Sequence, residues 1–270
     1  MKQSNSEADK PLFKEKRTTL SARIDAHKKF SKLEINDWIL KIINLKPGEK
    51  ILDVGCGTGK QAIPYKKIVG NSGIVIATDI SEEILNEAKE KAKTANVSIQ
   101  FILHDANNPF EYSDGYFDVI SCCFAIYYLK NLEKVIKEFK RLLRLGGRIF
   151  LAGPTPQNAQ LLHDLHKKIT KKTLPYMPGK SRFMSEVLTL IQKYFQDVKV
   201  EIFKNPLVFH DANSFLEYYT STGLFLNSVE NDNERENLKE AMKIEIQKWI
   251  HEKGKIEIVK EVGGIIAYKK

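Results

Sequence analysis

The sequence predicts an α/β protein built on a doubly wound, mostly parallel sheet with helices on both faces. Three observations carry this. Ile51–Val54 is a short apolar run that enters a glycine-rich turn, Gly55-Cys56-Gly57-Thr58-Gly59, ahead of a helical stretch. Such a run reads as a buried parallel strand turning sharply into a helix. Short apolar runs then alternate with amphipathic stretches as far as residue 153, the rhythm of strand–helix–strand units. Asp79 closes the second apolar run, 20 residues after Gly59, where a doubly wound fold sets a carboxylate beside the ribose of a nucleoside ligand.

The elements follow in order. Residues 1–20 read as a flexible polar tail. From Ser21 to about Asn44 the pattern is helical, with Leu33, Trp38, Ile39, Ile42 and Ile43 at spacings near three and four, and Pro47-Gly48 ends it. Lys60–Val69 is the helix after the glycine turn, with Pro64 near its first turn. Ile74–Thr78 is the second strand. Ser81 caps the next helix, Glu82 and Glu83 suit its positive end, and Ile84, Leu85, Ala88 and Ala92 give its buried stripe. Ile99–Leu103 is the third strand and Phe117–Ser121 the fourth, running on through Cys122–Ala125. Leu132, Val135, Ile136, Phe139, Leu142 and Leu143 make one long stripe, a helix that Gly146-Gly147 is expected to cap. Arg148–Ala152 is the fifth strand.

Past Gly153 the pattern predicts a helix over 157–172, another over Phe183–Phe195 and a strand at Val198–Phe203. Two helices follow, Ser214–Leu226 and Glu234–His251, and a terminal hairpin, Ile256–Val259 with Ile265–Tyr268, around Gly263-Gly264. The expected organisation is a tail (1–20), a ligand-binding core with covering N-terminal helices (21–153), and a C-terminal part (154–270) that completes the sheet and inserts a helical lid over about 211–251.

Composition bounds the function classes. With 270 residues and 42% hydrophobic residues the chain can bury a substantial core. No run of 18 apolar residues predicts a membrane span, and the first residues have no apolar leader core. Three cysteines, Cys56, Cys122 and Cys123, two of them adjacent, make no disulfide framework and suggest a reducing, cytoplasmic setting. No Cys/His spacing suggests a metal. The net charge of +9 is spread along the chain, which favours solvated helix faces over a nucleic-acid surface. The exception is His166–Arg182, which holds Lys167, Lys168, Lys171, Lys172, Lys180 and Arg182 and no acid.

The turn at 55–59 brings bare backbone and free helix N–H groups to a ligand. The spacing is G-x-G-x-G, one residue tighter than the dinucleotide fingerprint, and Gly59-Lys60-Gln61 is not a phosphate loop. Asp53, just ahead of the glycines, favours a cationic ligand over a diphosphate.

The run ILDVGCGTG, residues 51–59, resembles motif I of the class I S-adenosylmethionine-dependent methyltransferases. RLLRLGGRIFLAG (141–153) resembles that family's fifth-strand segment, and SCCFAIYYLKN (121–131) its small-molecule, ubiquinone/menaquinone-biosynthesis-like branch. The likeness covers roughly residues 33–153. It implies a seven-stranded Rossmann-like sheet and S-adenosyl-L-methionine as cofactor, held by Asp53, Gly55, Cys56, Gly57, Gly59, Asp79, Ile80, Asp105, Ala106 and Phe124. In this resemblance Asp79 binds the ribose hydroxyls, Asp105 the adenine amino group, Asp118 is structural, and N-terminal residues such as Arg23, Asp25, His27 and Phe30 cover the site. The branch often has a histidine pair where Tyr127 and Tyr128 stand.

In-line methyl transfer needs an acceptor held near attack geometry with water excluded. A base is required only for an acceptor that arrives protonated. Tyr127, Tyr128 and His210 are the candidate catalytic side chains, with His163 beside them. The expected activity is methyl transfer to a small molecule. Alternatives are an RNA or tRNA methyltransferase using the basic stretch 166–182, and a non-catalytic S-adenosylmethionine-binding protein. Acceptor and oligomeric state are not written in these residues.

Overall fold

The computed structural model describes residues 29–31, 33–172, 177–229 and 231–270. Arg23, Asp25 and His27, and the expected tail, lie outside the described residues.

The described helices and strands are α1 (Ile35–Ile43), β1 (Lys50–Val54), α2 (Ala62–Val69), β2 (Ile74–Asp79), α3 (Glu82–Thr94), β3 (Gln100–Leu103), β4 (Phe117–Cys123), α4 (Leu132–Leu142), β5 (Leu143–Pro154), α5 (Gln160–Thr170), α6 (Pro178–Arg182), α7 (Leu188–Tyr194), β6 (Gln196–Phe209), α8 (Ala212–Thr220), α9 (Gly223–Leu226), α10 (Asp232–Lys253) and β7 (Ile256–Tyr268). Seven strands form one sheet in the order β3-β2-β1-β4-β5-β7-β6. β7 alone runs antiparallel to its neighbours. The order reverses at β1/β4, and ligands of such sheets lie outside the carboxyl ends of the strands at that point.

Alternation along the strands separates two cores. Ile51 and Phe150 face α1 and α2, with Ile39, Ile43, Tyr65 and Val69. Leu52 and Leu151 face α4 and α7, with Ile136, Phe139, Phe183 and Ile191. The first face is locked at the sheet's far end by a buried ion pair. Arg148 meets Glu49 bidentately, Nη1 to Oε1 at 2.7 Å and Nη2 to Oε2 at 2.9 Å, and also donates to the carbonyls of Ile43 and Asn44 at the end of α1. Removing one partner of such a pair strands a buried charge. Glu49→Ala is expected to cost about 3–5 kcal/mol of stability, read as the shift of the urea midpoint at constant slope. A loss under about 1 kcal/mol would mean that water reaches Arg148 freely.

Among the described residues α1 begins only at Ile35, the helix expected at Ser214–Leu226 divides into α8 and α9, the strand expected at Val198–Phe203 runs over Gln196–Phe209, and both glycine pairs depart from expectation. Gly146-Gly147 does not cap α4, which ends at Leu142; the chain passes directly into β5. The extra residues are absorbed by a register jump against β4, from Phe117↔Leu143 to Val119↔Arg148. Gly263-Gly264 is not a hairpin turn, because β7 is continuous through it. These glycines make room instead. A Cβ on Gly263 would lie 2.8 Å from Met184 Sδ, and one on Gly264 would lie 2.7 Å from Trp38 Cη2. Glycine inside a strand commonly marks such a close approach.

β5 pairs with β7 only as far as Pro154↔Val262, whereas β6 and β7 stay paired to Phe209↔Ile256. The two strands therefore continue past the carboxyl end of β5 as a two-stranded ribbon. A third core forms on it, in which Leu207, Phe209, Ile256 and Ile258 pack with α5, α8, α9 and α10. The N-terminal segment joins this unit to the sheet: Phe30 packs on Phe209 with ring centroids 4.7 Å apart, and Ser31 Oγ donates to Asn205 Oδ1 at 2.8 Å.

Candidate active site

The site is assembled at the switch point. Gly55, Gly57 and Gly59 have φ of 67°, 54° and 78°, the left-handed region that side chains disfavour. A Cβ on Gly55 would lie 2.4 Å from the Ala125 Cβ, whereas one on Gly57 would meet nothing within 4 Å. The turn is thus pressed against the end of β4 on one side and opens as bare backbone on the other.

Asp79 ties this turn to β2 and α3. Its Oδ2 accepts from Gly57 N at 2.9 Å and its Oδ1 from Ser81 N at 3.0 Å. Each oxygen keeps a lone pair for another donor. Cys56 N donates to Thr78 O at 2.9 Å, and His104 N donates to Asp79 O at 2.9 Å, which brings Asp105 alongside. Asp105 Oδ1 accepts from the backbone and side-chain nitrogens of Asn107. Ile80, next to Asp79, is 62% exposed, an apolar face set among these acids, and Ala106 is half-buried against the core. Phe124 completes the wall at β4, its N–H bonded to Ala152 O at 2.7 Å and its φ at 61°, an outlier for so bulky a residue.

Asp53 lies beneath the turn, fully buried, and its Oδ2 has no partner. Burial pushes its pKa up to about 7, a hydrogen bond from Ser121 pulling down and the Asp79 charge pushing up. Tyr65 Oη shares a 3.0 Å hydrogen bond with Ser121 Oγ, so a buried chain runs Tyr65–Ser121–Asp53. An orphaned carboxylate oxygen is costly, and a cation above the turn would compensate it.

The other candidates fall in three places. Tyr127 and Tyr128 form a single 3-10 turn (Ile126–Tyr128) just past Phe124, their rings 4.6 Å apart; Tyr127 is buried in the core against Phe183, contrary to its expected place as a catalytic side chain, while Tyr128 is half-buried. Arg182 Nη1 donates to the carbonyls of Tyr127 and Leu129 at 2.8 and 3.0 Å. His163 is buried on α5 and accepts from Lys180 Nζ at 2.7 Å; burial first, then the Lys180 charge, lowers its pKa to about 4 and keeps it neutral. His210 is exposed beyond β6, in a surface groove of about 520 Å³ with Asp211, Lys243 and His251, which shares no residue with the glycine turn. Within the basic stretch, Lys168 pairs with Glu245, and Lys180 and Arg182 bond backbone carbonyls. Sequence reasoning missed Tyr65, Ser121 and Arg182 as parts of the site. Tyr65 reads there only as a helix residue, and Ser121 as a strand residue.

The sheet order, the glycine turn and the acid at the end of β2 define a nucleoside-binding doubly wound fold. Residues 51–147 match the methyltransferase domain family. The chain is 32% identical over 186 residues to the ubiquinone/menaquinone biosynthesis C-methyltransferase of Bdellovibrio bacteriovorus, covering 68% of this chain and 78% of that one. It is 34% identical over 138 residues to the demethylmenaquinone methyltransferase of Staphylococcus saprophyticus, covering 51% of this chain and 58% of that protein. A S-adenosylmethionine-dependent methyltransferase from Aquifex aeolicus shares the fold, with TM-score 0.51 and 22% identity over 68% of this chain and 88% of that one. The chain belongs to the class I S-adenosylmethionine-dependent methyltransferases, in the small-molecule branch. The bare backbone at Gly57 and the orphaned Asp53 oxygen fit that cofactor.

Proposed function

We propose that the crevice above Gly55–Gly59 holds S-adenosylmethionine and that the half-buried Tyr128, backed by the buried Tyr127, faces a small aromatic acceptor methylated beside it. The single observation carrying the cofactor assignment is the anchored but unsaturated carboxylate of Asp79 next to bare backbone at Gly57. Asp79 accepts the ribose hydroxyls, Ile80 and Ala106 flank the adenine, Asp105 accepts from its amino group, and Asp53 offsets the positive charge from below. The bound cofactor supplies an electrophilic methyl group. Phe124 and Tyr128, both half-buried, present aromatic faces that suit a sulfonium and a flat acceptor, and Tyr127 packs behind them on Phe183. The ribbon, with α5 and α8–α10, roofs the strand ends and excludes water, which serves the expected lid. His210 is outside this proposal, since its groove lies elsewhere.

An aromatic acceptor is supported by the quinone-pathway names of the two relatives and by the tyrosine pair. Among the described residues no helix is long and apolar enough to cross a membrane. The three thiols are free and buried, which suits a reducing cytoplasm. The test is transfer of labelled methyl from S-adenosylmethionine to demethylmenaquinol, with bulk tRNA in parallel. Label in the quinol alone supports the proposal, and label in tRNA alone overturns it.

Asp53 also sets a pH dependence. Its folded pKa lies above the ordinary 3.8, at about 7, so in the free protein its contribution is retained below about pH 4 and lost as pH rises to about 7. A cationic ligand needs the ionised form. Cofactor affinity is therefore expected to tighten as pH rises, up to tenfold per unit below pH 7, and to level off above it. Calorimetry across this range checks it, and Asp53→Asn should flatten the slope. A flat profile in the parent protein would remove Asp53 from the cofactor site.

A further inference from the structure

β6 ends the sheet, and among the described residues no strand pairs with its outer edge. An unpaired edge is a template for another strand, and proteins usually blunt it. Here the blunting features lie at the two ends, Pro206 toward one and an irregularity at Asp197 at the other. Asp197, with φ of 47°, sits in a register irregularity between Gln196 and Lys199, after which pairing with β7 is regular as far as Phe209. The free stretch reads Val198-Lys199-Val200-Glu201-Ile202. Val200 is 38% and Ile202 44% exposed, adjacent apolar positions on one face of the edge strand. Lys199 and Glu201 are exposed, and neither side chain has an ionic partner among the described residues.

This stretch is complementary to itself. Two copies paired antiparallel about a two-fold axis at Val200 set Lys199 opposite Glu201 of the second copy, and Glu201 opposite its Lys199. Val200 meets its own counterpart, and Val198 meets Ile202. Facing residues share a face of the sheet, so each match is a cross-strand pair of the kind that stabilises sheets. Neighbouring registers are disfavoured; one centred at Val198 runs into the irregular backbone at Asp197, whose carboxylate already pairs with Lys270. A centre at Lys199 or Glu201 sets two like charges opposite each other at the axis, and a centre at Ile202 sets Val200 against Lys204. Like charges directly opposite are destabilising. A closed two-fold pairing of this sort uses the same patch on both subunits.

We propose that β6 is a self-association edge, through which two copies of this chain join their sheets antiparallel with Val200 on the two-fold axis. The test is sedimentation equilibrium over a wide concentration range. The parent protein is expected to show a reversible monomer–dimer equilibrium. Lys199→Glu alone sets Glu against Glu, and Glu201→Lys alone sets Lys against Lys, so each should raise the dimer dissociation constant about tenfold or more. The double variant restores both pairs and should recover the dimer, as should an equimolar mixture of the two single variants, now as a heterodimer. Both positions are exposed, and unchanged circular dichroism and cofactor affinity in each variant separate this result from misfolding and from the methyl-transfer reading. A parent protein monomeric at every concentration overturns the proposal, as it would if residues 1–28 of the same chain covered the edge. A dimer indifferent to both single reversals also overturns it, since the contact would then lie elsewhere.

Discussion

Asp79→Ala is expected to weaken S-adenosylmethionine binding by about 100-fold or more. The wild-type carboxylate performs two tasks at once. It holds the turn, through Gly57 N, and the start of α3, through Ser81 N, while each oxygen retains a lone pair for a ribose hydroxyl. Hydrogen bonds to a charged acceptor contribute about 1.5–3 kcal/mol each. Losing two gives a drop of roughly 10²- to 10⁴-fold in affinity, before any loosening of the turn is counted. Asp79→Asn separates the tasks. It keeps the shape but replaces one acceptor oxygen by an NH2 facing a backbone N–H, and its affinity should fall between the two. Unchanged calorimetric affinity in the Ala variant would place the cofactor elsewhere.

Gly55→Ala should be nearly as severe through a different cause. Its φ of 67° penalises any side chain, and the added methyl would sit 2.4 Å from the Ala125 Cβ. Ala125 follows Phe124, whose amide is bonded to β5, so the clash pushes on the Phe124 side of the candidate site. A left-handed Ala costs about 1–2 kcal/mol, and the collision adds to it, so a loss of about 100-fold in kcat/KM is expected. Ala125→Gly in the same chain removes the collision and leaves the conformational cost, and should recover about tenfold. No recovery would show that Ala125 is not the obstacle.

The frame of the candidate site was legible because its parts are local. Strand, acid and glycines stand consecutively at 51–59, and Asp79 ends the adjacent strand, so pattern and spacing suffice. What escaped depends on contacts between distant segments. Gly263-Gly264 reads as a turn, yet its glycines exist for Trp38 and Met184, which are distant in sequence. Gly146-Gly147 reads as a helix cap, but pairing with β4 carries the chain straight into β5. β6 looked shorter because Lys204-Asn205-Pro206 interrupts its alternation, and only the partner strand β7 keeps it extended to Phe209. Tyr65 and Ser121, 56 residues apart, meet only in the folded core.

The overhang of β6 and β7 beyond β5 has a consequence for how such a protein diversifies. The height of the upper unit beyond the end of β5 is set mainly by two strand lengths, with Phe30 and Ser31 bracing it. Adding two residues to each would lift the upper unit by about 7 Å while every side chain kept its original orientation; adding one would turn the strand over. On the proposed reading, in which this unit lids the acceptor, paired insertions remote from ILDVGCGTG admit acceptors of different bulk and leave the turn at 55–59 as it was.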